Sequence, residues 1–161
     1  MTGITRRDRL NRLTRDLSTE TILLHQAIAD RLGLNLTDHK CLGFLLDAGE
    51  PTTAGQLAAL TGLTTGAVTG IVDRLEGAGF VRRKRDPNDR RRVTLEVNYD
   101  KVQREVFPIF EELAKRMSAV AASYSKRDLA TIMDFMERGL EISRDYQAKL
   151  RSGSSPRRTP P

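Results

Sequence analysis

From Leu10 onward the apolar residues Leu13, Leu17, Leu24, Ile28 and Leu32 recur at helical spacing, and Gly33 closes the run. That pattern predicts a long amphipathic first helix. The next segment, "CLGFLLDAG" at 41–49, is almost wholly apolar, so a short second helix with Thr37 as its N-cap is expected to be buried. "EPTT" breaks the chain. Thr53 with Gln56 then forms a capping box that opens a third helix carrying Leu57 and Leu60. After "TGL", Thr64 caps a fourth helix with Val68, Ile71, Val72 and Leu75 on its inner face, and Gly77 and Gly79 stop it. Two short helices joined by a glycine-containing turn match a helix-turn-helix.

The periodicity changes directly afterwards. "FVRRKRD" and "RRRVTLEV" are strand-like and flank a Pro-Asn-Asp turn, which predicts a β-hairpin. Further on, Val102, Val106, Ile109, Leu113, Met117, Val120 and Tyr124 share one stripe of a long helix that Pro108 is expected to kink. Ser125 and Asp128 form another capping box before a last helix bearing Leu129, Ile132, Met133, Met136 and Leu140. The predicted fold is mostly α with a small β-hairpin wing. Residues 1–36 hold the N-terminal helix, 37–98 a winged helix-turn-helix domain, and 99–151 the C-terminal helices. Residues 152–161, rich in Pro, Ser, Gly and Arg, are expected to be a disordered tail. The stripes of residues 10–32 and 102–140 exceed what one small winged-helix domain needs, so they are expected to form a dimerisation domain, an isologous, largely helical interface with a second copy.

Charge sharpens this picture at one place. "RRKRDPNDRRRV", residues 82–93, contains seven of the 27 basic residues and two aspartates, a net +5 against +6 for the whole chain. Alone, such a run reads as a solvated loop. Its position immediately after a helix-turn-helix makes it the wing of a winged helix, with arginines suited to the narrow, electronegative minor groove while the fourth helix enters the major groove. A winged-helix protein- or RNA-interaction module without operator binding is the alternative reading. No Gly-rich phosphate loop, nucleophile–base pair or metal constellation argues for an enzyme, and no cofactor or metal is expected. One cysteine gives no intrachain disulfide, and the opening "MTGITRRDRL" lacks a signal-peptide core. Residues 52–72 carry no charge but include six Thr and four Gly, too polar to span a bilayer. The expected location is cytoplasmic, associated with the nucleoid, with no membrane partner.

Residues 63–97, "LTTGAVTGIVDRLEGAGFVRRKRDPNDRRRVTLEV", resemble the recognition helix and wing of the MarR family of bacterial transcriptional regulators, including the Asp89-x-Arg91 wing motif. The resemblance extends over roughly residues 10–150. It implies an obligate homodimer on pseudo-palindromic double-stranded operator DNA, commonly a repressor released by a small aromatic or lipophilic ligand. DNA-binding candidates are Thr64, Thr65, Gly66, Thr69, Gly70 and Arg74 on the helix, with Arg83, Lys84, Arg90, Arg91 and Arg92 on the wing. Gly66 and Gly70 lie on the outward face, where each costs about 1 kcal/mol relative to alanine. Close approach of the backbone to DNA is one explanation, simple tolerance the other. The resemblance assigns Asp73 and Asp89 to steadying Arg91; plain surface and turn aspartates are the alternative.

His25, His39 and Phe107 are candidate ligand-pocket residues at the junction of the first, second and fifth helices. A hydrogen-bonded core or interface histidine is the competing reading for both histidines. Cys41, among Leu42, Phe44 and Leu45, is expected to be a buried, unreactive thiol, and the family's reactive cysteine position on the first helix holds none here.

Overall fold

The computed structural model describes residues 4–85 and 93–152. In chain order these form α1 (Arg6–Arg31), α2 (Leu36–Ala48), β1 (Thr52–Thr53), α3 (Ala54–Thr61), α4 (Thr65–Gly77), β2 (Val81–Arg85), β3 (Val93–Val97), α5 (Tyr99–Glu105), α6 (Phe107–Ala122) and α7 (Lys126–Arg151). They fall into two compact units that divide between Glu111 and Glu112.

Capping accounts for most of the element boundaries. The Thr53–Gln56 box opens α3, the Thr64 hydroxyl accepts the Ala67 N–H at the start of α4, and Ser125 accepts the Asp128 N–H at the start of α7. A further box, Thr5 with Asp8, starts α1 four residues before the first apolar position. The N-cap of α2 is Asn35, whose Oδ1 accepts the Asp38 N–H at 2.8 Å; Thr37 instead lies within the helix. Asparagine and threonine are both competent caps, and only the backbone path chooses between them. Gly62 takes φ +69° at the turn between α3 and α4, a conformation open to glycine at little steric cost. The predicted kink at Pro108 is a full break, with α5 ending at Glu105 and α6 beginning at Phe107. Proline at this point has no N–H to donate to the carbonyl four residues back.

The first unit has one core. Leu42 and Leu45 of α2, Leu57 of α3, Val68, Val72 and Leu75 of α4, Phe80, Leu95 of β3, and Val102 and Val106 around α5 are all buried together. Burying each such side chain contributes roughly 1.5–3 kcal/mol. β2 and β3 form the antiparallel hairpin, with Arg82 opposite Glu96 and Lys84 opposite Thr94. A third strand, β1, pairs Thr52 with Leu95 and Thr53 with Thr94, giving the order β1-β3-β2. The hairpin is thereby fixed to the base of the helix-turn-helix. At the other end of β3, the Asn98 N–H donates to the Phe80 carbonyl at 2.8 Å and Asn98 Nδ2 to the Gly79 carbonyl at 3.0 Å.

The second unit comprises the rest of α6 with α7. Its apolar residues stand out from the chain: Met117, Val120, Ile132, Met133, Met136 and Leu140 are all exposed. The same holds for Leu10, Leu13 and Leu17 on the N-terminal half of α1 in the first unit; in α1 only Ile28 and Ala29, near its C-terminal end, are buried. No single helix among the described residues is long and apolar enough to cross a membrane.

Candidate nucleic-acid interface

The inner face of α4 is anchored by Val68, Ile71, Val72 and Leu75, and this turns Thr64, Thr65, Gly66 and Thr69 outward into solvent. A Cβ built on Gly66 meets nothing within 4 Å, so packing inside the chain does not require glycine there. At Gly70 the nearest atom is the Arg74 guanidinium at 3.5 Å, an ordinary contact. Thr69, exposed on this face, donates its hydroxyl to the Thr65 carbonyl at 3.0 Å.

Arg74, an expected DNA contact, turns toward α2. Its Nε and Nη2 donate to Asp38 Oδ2 and Oδ1 at 2.8 and 2.7 Å. The Asp38 side chain is only 2% exposed, whereas that of Arg74 is 53% exposed. A buried carboxylate must be paired, and this bidentate geometry also fixes the orientation of α4 on α2.

A second set of ion pairs joins wing to helix. Arg83 on β2 donates through Nη2 to Asp73 at 2.5 Å and through Nη1 to Glu76, both on α4. The Arg83 backbone N–H also donates to Glu76 at 2.9 Å. These bonds, the backbone one foremost, hold the Glu76 carboxyl below its usual range. Across the hairpin, Glu96 takes Lys84 at 2.8 Å and Arg82 at 2.9 Å. Asp73 thus finds its partner among the described residues in Arg83. Asp89, Arg90, Arg91 and Arg92, with the Pro-Asn-Asp turn and the tail from 153 onward, lie outside the described residues.

His25, His39 and Phe107 line one cavity of about 450 Å³ in the first unit. His25 Nδ1 and His39 Nε2 lie 3.1 Å apart, and Phe110, which the sequence did not single out, stacks on His39 with centroids 6.1 Å apart. Burial, then the Lys40 charge, lowers the pKa of His25; burial, then His25 and Lys40, lowers that of His39. Cys41 is buried as expected, and burial, then Asp38, raises its pKa and keeps it a thiol. Among the described residues no group of three or more His, Cys, Asp or Glu is arranged to hold a metal.

A helix-turn-helix whose second helix is clasped by a basic three-stranded wing defines a winged-helix protein. The MarR family profile matches residues 32–92. Over 139 residues the chain is 41% identical to the HTH-type transcriptional regulator YcgE of Bacillus subtilis (strain 168), covering 86% of this chain and 89% of that one. Among solved structures, a MarR family protein from Bacillus stearothermophilus superposes with a TM-score of 0.64 at 23% identity, over 91% of this chain and all of that one. A mutant of MepR from S. aureus, bound to an oligodeoxyribonucleotide, gives a TM-score of 0.59 at 16% identity over 82% of this chain and 96% of that one. The two superpositions establish the fold. The chain belongs to the MarR family of DNA-binding winged-helix transcriptional regulators, a family of regulators rather than enzymes.

Proposed function

We propose that this regulator is a cytoplasmic, nucleoid-associated homodimer that binds a pseudo-palindromic duplex operator as a repressor and is released by an aromatic or lipophilic effector. The observation that carries the reading is the outward face of α4. Thr64, Thr65, Gly66 and Thr69 form a small, uncharged surface that a duplex can approach closely, beside a hairpin that concentrates arginine. Threonine methyls suit thymine, and the N–H groups at the start of α4 suit a phosphate. The DNA-bound S. aureus MepR mutant is a precedent on the same fold.

In this reading the residues divide by task. Arg90, Arg91 and Arg92, with Lys84, supply the backbone and minor-groove contacts, and Asp89 orients Arg91. Arg83 with Asp73, and Arg74 with Asp38, hold the helix and wing in place and leave less of each guanidinium for DNA. The exposed stripes of α1, α6 and α7 are covered by the second copy. An effector occupies the cavity lined by His25, His39 and Phe107, and releases DNA only if it favours one separation of the two recognition helices over another.

The test is selection of bound fragments from genomic DNA, followed by duplex affinity measured across salt concentrations. The reading expects one recurrent palindromic element and affinity that falls steeply with salt. Arg91→Ala is expected to weaken operator binding by about 1–3 kcal/mol per contact and to lower the salt slope by about one per arginine lost. Equal affinity for operator, random duplex and single-stranded RNA would refute operator recognition.

A further inference from the structure

The chain has two histidines, and they touch each other. His25 comes from α1 and His39 from α2, and the 3.1 Å between His25 Nδ1 and His39 Nε2 is a hydrogen-bond distance with room for one proton. His39 is buried against Phe110, and its Nδ1 has no hydrogen-bond partner among the described residues. If His39 Nε2 donates, that buried Nδ1 is a bare lone pair and His25 carries its own hydrogen on Nε2. The reverse tautomer strands an N–H at the buried Nδ1, which is costlier.

One added proton therefore has no good place in the pair. On His25 Nδ1 it either sets two donors against each other or, if His39 shifts its own proton to Nδ1, strands an N–H at that buried atom. On His39 Nδ1 it creates a buried cation whose N–H lacks an acceptor. Among the described residues, the charged side chains lining the cavity around the contact are Lys40 and Asp47, both on α2; α1 contributes His25 itself, and Val106, Phe107 and Phe110 contribute no charge. Burial and the Lys40 charge both favour the neutral rings.

The residue before His39 is Asp38, the buried carboxylate that grips Arg74 of the recognition helix with two hydrogen bonds. One helix thus holds the histidine contact and the bridge to α4 at consecutive positions. We propose that α2 is a proton-sensitive coupling element: acidification parts His25 from His39, and the Asp38–Arg74 bridge carries the displacement of α2 to the recognition helix and lowers duplex affinity. The proposal rests on the duplex-binding reading above. Its sign is diagnostic. Added positive charge alone tightens binding to a polyanion, whereas the coupling weakens it.

The experiment is duplex affinity at about pH 5.5 and pH 8.0 at fixed ionic strength, a window in which histidine is the side chain that ordinarily titrates. Circular dichroism at both values monitors the fold. Wild type is expected to bind at least about tenfold more weakly at the lower pH. His25→Gln/His39→Gln is expected to lose that ratio or reverse it. Asp38→Asn is expected to leave both histidines titrating, as followed by their NMR signals, while the affinity ratio shrinks. A flat or inverted wild-type ratio, an undiminished ratio in either variant, or loss of helix at pH 5.5 would overturn the coupling. Absence of duplex binding at pH 8.0 would overturn the duplex-binding reading itself.

Discussion

In α4, Val68, Ile71, Val72 and Leu75 are all at most 3% exposed, whereas in α7 Ile132, Met133, Met136 and Leu140 stand between 38% and 57% exposed. Both helices carry apolar residues at helical spacing, and both have a side-chain N-cap. The difference is what lies opposite. α4 faces α2, α3 and the sheet within its own chain, so its stripe finds a partner during folding. The α7 stripe, like that of the N-terminal half of α1, remains unsatisfied in one chain. Amphipathic periodicity identifies an apolar face but not which molecule covers it. Four such residues on one helix form more than the scattered exposed hydrophobics common on any surface.

The largest expected effect lies at the packed end. Phe80 is among the largest fully buried side chains, and Phe80→Ala is expected to cost about 3–5 kcal/mol in urea unfolding. A loss below about 1 kcal/mol would mean that this core does not carry the fold. At the other end, Leu140→Lys would change stability by no more than about 0.5 kcal/mol if α7 were a solvated surface. Coverage by a second copy predicts a loss of about 2 kcal/mol or more. It also predicts a wild-type unfolding midpoint that rises with protein concentration and a variant midpoint that does not.

Gly66 separates folding from function within α4. A Cβ there meets nothing, so Gly66→Ala is expected to stabilise the chain by about 0.5–1 kcal/mol while weakening duplex binding. Unchanged affinity would remove the close-approach role. The smallest effect is titrational. Burial first, then neighbouring charge, lowers the pKa of both histidines below 6.5 in the folded state. The unfolded chain therefore binds protons first as pH falls through about 6.5, and unfolding free energy decreases from there until the folded rings titrate. Urea unfolding at pH 7.5 and pH 5.5 measures this, and a gain in stability on acidification would contradict the sign.

Much of this architecture was legible in the chain. The caps at Thr53, Thr64 and Ser125, the helix-turn-helix and the two strands of the wing are local signals, each set by residues within a few positions of one another. What escaped the sequence reading is long-range. β1 is two residues long, too short for alternation to register, and exists because Thr52 and Thr53 reach Leu95 and Thr94. Asp38 meets Arg74 across 36 positions, a pairing that no spacing rule anticipates. Asp73 was matched to the wing by family pattern, and the arginine found beside it is Arg83 on β2, ten positions away. Phe110 escaped notice because its helical stripe gives no sign that α6 begins anew at Phe107 and brings that ring onto His39.

On the proposed reading, two copies, joined through the apolar faces left open in one chain, present two recognition helices to one duplex. Sedimentation of the protein with a selected operator fragment tests this. The expected result is a dimer of 18.0 kDa chains without DNA at micromolar concentration, and a complex of two chains per duplex. A monomer that binds the duplex as a single chain, or a dimer that never associates with it, would refute the reading.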